Sequence, residues 1–152
     1  MMQAIRLTRL RPSLGVAILT VAFAISGCSI KLISSYDETT DKTVTALQKK
    51  TEAHFVALEA VEGLPECKFD KHKQFYDEAK VDVSAIAVRA AAIPKNEITT
   101  DQTVLLSSSL ESLEKLHKIG CISKDQIKPL RTQFNSSFTA ILKLELAKRR
   151  GE

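Results

Sequence analysis

The stretch Val44-Thr45-Ala46-Leu47-Gln48-Lys49-Lys50-Thr51-Glu52-Ala53-His54-Phe55-Val56-Ala57-Leu58 decides the fold. Val44, Leu47, Thr51, Phe55 and Leu58 recur at intervals of three and four, the period that lines one face of an α-helix, and Val61 or Glu62 continues the stripe. The spacing predicts a helix from about Tyr36 to Val61. Asp37, Glu38 and Asp41 fall in its first turns, where negative charge suits the positive end of the helix dipole. This acidic cluster has neither the glycine turn nor the ligand spacing of a calcium loop, so it reads as helix-end charge. His54 reads as a surface or boundary residue.

Working outward, three more segments carry the same period. Gly63-Leu64-Pro65 breaks the chain, and Asp70 is the expected N-cap of a second helix from Asp70 to Ala92 with the stripe Phe75, Ala79, Val83, Ile86, Ala90 and Ile93. Its alanine-rich end, Ala85 to Ala92, permits close helix packing, and Pro94 stops it. Thr99 with Gln102 reads as a capping box for a third helix running to Ile119, with Gly120 as its C-cap. Leu106, Leu110, Leu113 and His117 mark one face, widened by Leu105 and Leu116; Ser107-Ser108-Ser109 is poor helix material and predicts local fraying or bending. Ser123 with Gln126 repeats the capping box for a fourth helix, whose apolar side is Ile127, Leu130, Phe134, Phe138, Ile141 and Leu142. Pro129 predicts that its regular part begins only there, and Lys148, Arg149 and Arg150 close it. No strand-like alternation of useful length occurs. Short connections between helices of similar length predict an all-α, antiparallel up-down four-helix bundle. In that topology the 1–2 and 3–4 turns share the end far from the N-terminus.

Ahead of the bundle stand Arg6, Arg9 and Arg11, then an apolar run from Leu14 to Ile25, then Ser26-Gly27-Cys28. As a helix that run spans only about 18 Å against roughly 30 Å of bilayer hydrocarbon, so a cleaved leader is expected rather than a permanent span. Ile25-Ser26-Gly27-Cys28 resembles the lipobox of bacterial lipoproteins: an aliphatic residue, two small residues and a cysteine. The resemblance implies cleavage between Gly27 and Cys28 and acylation of Cys28. It divides the chain into a signal peptide (1–27), a lipidated tether (28–35) and a bundle domain (36–152). Ser29 follows the cysteine where members retained in the inner membrane carry aspartate, which implies an outer-membrane anchor and, in the expected placement, the periplasmic face. The run from Ile33-Ser34-Ser35-Tyr36-Asp37 through Leu47-Gln48-Lys49-Lys50 is similar to a stretch in small uncharacterised proteobacterial lipoproteins, a likeness that brings no function with it.

Cleavage changes the charge balance. The whole chain has 22 basic and 18 acidic residues, a net +4, but three of the basic ones are leader arginines. The mature part is therefore close to neutral, and nucleic-acid binding loses its only compositional support.

With Cys28 assigned to lipid, Cys67 and Cys121 remain, both at the distal end of the expected bundle and both in an oxidising compartment. A disulfide is the expected outcome. The alternatives are free thiols and a zinc site built from Cys67, His72, His117 and Cys121, although the spacing of the latter is not that of a zinc finger. No signature nominates a nucleophile with its base, no phosphate loop occurs, and the mature chain has no methionine for a haem. Asp77, Glu78, Asp82, Glu111 and Glu114 read as solvated helix faces balanced by lysines. The expectation is a non-enzymatic, membrane-anchored lipoprotein without a cofactor that binds a protein as adaptor, accessory or exclusion factor. The alternatives are a small-ligand or metal-binding bundle and an envelope structural element.

Overall fold

The computed structural model of the chain describes residues 33–151. The segment expected to be a signal peptide and most of the expected tether, with Gly27 and Cys28, lie outside the described residues. The fold consists of α1 (Glu38–Ala60), a 3₁₀ turn (Pro65–Cys67), α2 (Phe69–Ala92), α3 (Glu97–Ile119) and α4 (Lys124–Arg150). Each helix packs against its two neighbours, α1 on α2 and α4 and α3 on α2 and α4, so the four close into a ring in up-down order. No helix among the described residues is long and apolar enough to cross a membrane.

The apolar stripes meet at the centre of the ring. Val44, Leu47, Phe55 and Leu58 of α1 face Ile127, Phe134, Phe138 and Ile141 of α4, with Val83 and Ile86 of α2 and Leu106, Leu110 and Leu113 of α3 completing the core. Phe55 and Phe134 meet edge to face with ring centroids 5.7 Å apart. Burying each such side chain contributes about 1.5–3 kcal/mol, which is where the stability of this fold arises. Phe75 and Ile93, expected on the α2 stripe, are only half-buried, because Tyr76, fully buried, takes the core position. Leu105 departs further from expectation: it is 56% exposed on the outer flank of α3.

The helix ends explain the boundaries. Asp37 caps α1 by accepting from the Thr40 amide at 3.0 Å and its hydroxyl at 2.6 Å. Gly63, at φ 77°, supplies the left-handed turn that follows. On α4 the Ser123–Gln126 capping box forms in both directions. The other two expected caps are corrected. Asp70 lies inside the first turn of α2, which begins at Phe69 after Lys68 and has no side-chain cap. Thr99 sits three residues into α3, whose N-cap position belongs to Asn96; neither side chain caps the helix, because both bond elsewhere. Pro129 does not delay α4, which starts at Lys124 and runs through it, leaving only the Asp125 carbonyl without its helical donor. The serine run does not fray α3 either: the hydroxyls of Ser108, Ser109 and Ser112 return to carbonyls four residues back at 3.1, 3.0 and 2.8 Å.

Candidate functional site

Chemistry-bearing side chains gather at the two ends of the bundle, and an apolar groove lies between them. At the distal end Cys67 and Cys121 are paired at disulfide distance, with Cα atoms 5.3 Å apart. This joins the turn before α2 to the turn after α3. His117 on α3, buried, has Nε2 2.7 Å from the Cys67 carbonyl and Nδ1 2.7 Å from the Tyr76 hydroxyl. A carbonyl can only accept, so Nε2 carries the hydrogen and Nδ1 accepts from Tyr76. The Tyr76 oxygen then faces Nε2 of His54 at 3.4 Å. A polar chain thus runs from α1 through α2 and α3 to the backbone of the cystine.

His54 is therefore not a surface or boundary residue: it is 5% exposed, stacked on Phe75 with centroids 3.7 Å apart. Burial, aided by the nearby His72 and His117, pushes its pKa down to about 3. Burial also lowers His117, against the opposing effect of its bond to the Cys67 carbonyl, and raises the Tyr76 phenol. Both buried imidazoles are held neutral.

The zinc arrangement is not assembled. Cys67 and Cys121 bond to each other, His117 has both ring nitrogens engaged, and His72 donates Nε2–H to the Glu66 carbonyl at 3.0 Å. Among the described residues no group of three or more histidine, cysteine or carboxylate side chains is arranged to hold a metal ion. Glu114 also departs from expectation. It is 8% exposed and takes Lys80 at 2.6 Å and Lys118 at 2.9 Å. Burial pushes its carboxyl up, but the two ammonium groups outweigh that and leave its pKa below the ordinary value.

The proximal end holds a second polar cluster. Lys148 and Glu145 of α4 are almost wholly buried and 2.5 Å apart. The Lys148 ammonium also donates to Asn96 at 2.5 Å and Thr99 at 2.9 Å, and Glu145 accepts from the Thr99 hydroxyl at 3.1 Å and the Asp37 amide at 3.1 Å. The chain entering the bundle is fastened here. Ser34 donates its amide to the Lys95 carbonyl and its hydroxyl to Asn96, both at 2.9 Å. Arg89 grips both Asp37 oxygens at 2.6 Å, which with the Thr40 bonds holds that carboxyl well below the usual range. This cluster was missed in the sequence, yet a signal existed: Phe134, Phe138, Ile141, Glu145 and Lys148 continue one helical stripe without a break.

The third feature is a groove of about 840 Å³, lined by Thr39 and Thr43 of α1 and by Val81, Ala85, Val88 and Ala92 of α2. Val81 and Val88 are 68% and 69% exposed, on the side of α2 opposite its core stripe. Among the described residues no buried side-chain nitrogen or oxygen lacks a hydrogen-bond partner, so the two polar clusters are closed on themselves while the groove is open. Comparison with protein families, with curated proteins and with solved structures finds no match to this chain.

Proposed function

We propose that this is a non-enzymatic lipoprotein, anchored through acylated Cys28 to the periplasmic face of the outer membrane, that works by docking another protein against the outward face of α2. The observation that carries the docking role is the exposed stripe Val81, Ala85, Val88 and Ala92 lining one groove, set beside two polar clusters whose groups are already engaged. Exposed valines in a groove lower their free energy by meeting a complementary apolar surface, at about 25 cal/mol per Å² removed from water. The anchor rests on the Ile25-Ser26-Gly27-Cys28 resemblance. Ser34 and Asp37 are fastened to the bundle, so an anchor at Cys28 would be joined to it by the six residues 28–33, roughly 20 Å at full extension. A bundle so held works close to the membrane.

Two measurements test this reading. Labelled palmitate should enter the wild-type protein and not a Cys28→Ala variant; label in neither removes the anchor. Crosslinking and affinity capture from intact envelopes should return a reproducible protein with wild type and lose it with Val88→Asp. Equal capture by both would place docking elsewhere.

A further inference from the structure

We propose that the α2 groove is the interface of a symmetric homodimer in which α2 packs antiparallel against α2 of a second copy. The proposal rests on the reading of this face as a docking surface and names its occupant.

Val81, Ala85, Val88 and Ala92 are spaced by four, three and four residues, the interval of a two-helix seam rather than of a broad buried face. Large and small side chains alternate along it. A two-fold axis through the midpoint between Ala85 and Val88 sets Val81 opposite Ala92 of the partner subunit, and Ala85 opposite Val88 of the partner subunit. Every valine then meets an alanine, so the seam complements itself, the requirement for an isologous contact. The small residues also let the helix axes approach to about 8 Å.

The charges agree with this pairing. The two-fold lays each flank of α2 along the same flank of its mate, and Asp82 and Arg89 share the flank that faces α1, where they meet Lys50 and Asp37. At 1.5 Å per residue, Asp82 of one copy lies about 3 Å along the axis from Arg89 of the partner subunit, whereas the two Arg89 side chains are offset by about 7.5 Å and the two Asp82 side chains by about 13.5 Å. Unlike charges are the nearer ones. Near-neutral mature composition adds little self-repulsion. The seam is only about 17 Å long, so Thr39 and Thr43 of α1 must join it to approach the roughly 800 Å² per partner of a standard interface. A reversible dimer follows rather than an obligate one.

The test uses the full chain in detergent. Sedimentation should show a concentration-dependent dimer for wild type and a monomer for Val88→Asp, with unchanged helical circular dichroism because the site is exposed. A short bismaleimide should link Val88→Cys to itself, about 4.5 Å apart along the axis, and leave Val81→Cys, about 16.5 Å apart, at the wild-type background. Wild type that stays monomeric to several hundred micromolar, a dimer that survives Val88→Asp, or Val81→Cys linking as readily as Val88→Cys each overturns the proposal. If wild type is monomeric while Val88→Asp still abolishes capture of a different protein, the homodimer fails and the docking face stands.

Discussion

At the scale of single residues, the most consequential fact is that His54 and His117 are neutral inside the bundle. The pKa of His54 falls from about 6.5 to about 3, so between those values the unfolded chain binds a proton that the folded one refuses. The contribution of His54 is fully present above pH 6.5 and is lost as pH falls toward 3, by up to about 1.4 kcal/mol per pH unit. Carboxylates with depressed pKa, Asp37 and Glu114 among them, act in the same direction but only once pH drops below their unperturbed values near 4. The window from pH 6.5 to 5 therefore belongs to the histidines. His54→Phe keeps a ring against Phe75 and removes the titration. Urea midpoints measured across that window should fall steeply for wild type and distinctly less for the variant, while parallel curves would mean that His54 accepts its proton without unfolding.

At the scale of elements, the proximal cluster shows how four pieces of chain are held in register by groups far apart in sequence. Glu145 and Lys148 meet the entering chain at Asp37, the α2–α3 turn at Asn96 and the first turn of α3 at Thr99. Removing one partner of a buried ion pair leaves the other charge unpaired and costs about 3–5 kcal/mol, whereas replacing both by apolar residues of similar volume is often neutral. Lys148→Met should therefore lower the denaturation midpoint sharply, and Glu145→Leu combined with Lys148→Met should recover most of the loss. Equal destabilisation by the single and double changes would show that hydrogen bonds to Asn96 and Thr99, rather than charge, dominate. The same cluster marks where the sequence stops being legible. Helix number, order and the Ser123–Gln126 cap could be read because they are patterns within one segment. Thr99 and Gln102 show an equally good local capping pattern, yet the Thr99 hydroxyl goes to Glu145, 46 residues away. Asn96 is diverted likewise, to Lys148 at a separation of 52. Local spacing cannot reveal a competitor from another helix.

At the scale of the bundle as a whole, the ring of helices is tied at both ends, by the polar cluster around Asp37, Asn96, Glu145 and Lys148 and by the cystine at the far end. The cystine was legible because the expected topology put both turns, and so Cys67 and Cys121, at one end of the bundle. His54 and Tyr76 were not, because each lies on the edge of its stripe, where periodicity cannot separate a buried polar group from an exposed one until a partner helix covers it. The Cys67–Cys121 link closes a loop with a sequence separation of 54 across the turns at that end. On the chain-entropy model such a loop restrains the unfolded chain by roughly 4 kcal/mol, a large share of the 5–15 kcal/mol typical of a domain. At about 4 °C per kcal/mol for a domain of this size, reduction or Cys121→Ser should lower the thermal midpoint by roughly 15 °C. Helical circular dichroism at 20 °C should stay unchanged, since the core stripes do not depend on the bond. The partner change Cys67→Ser should cost at least as much, because Cys67 is buried beside the His117 contact and Cys121 is exposed. A midpoint that moves by only a degree or two on reduction would mean that the unfolded chain already keeps its two distal turns together, and the stability assigned to the link would then have to come from the packed core alone.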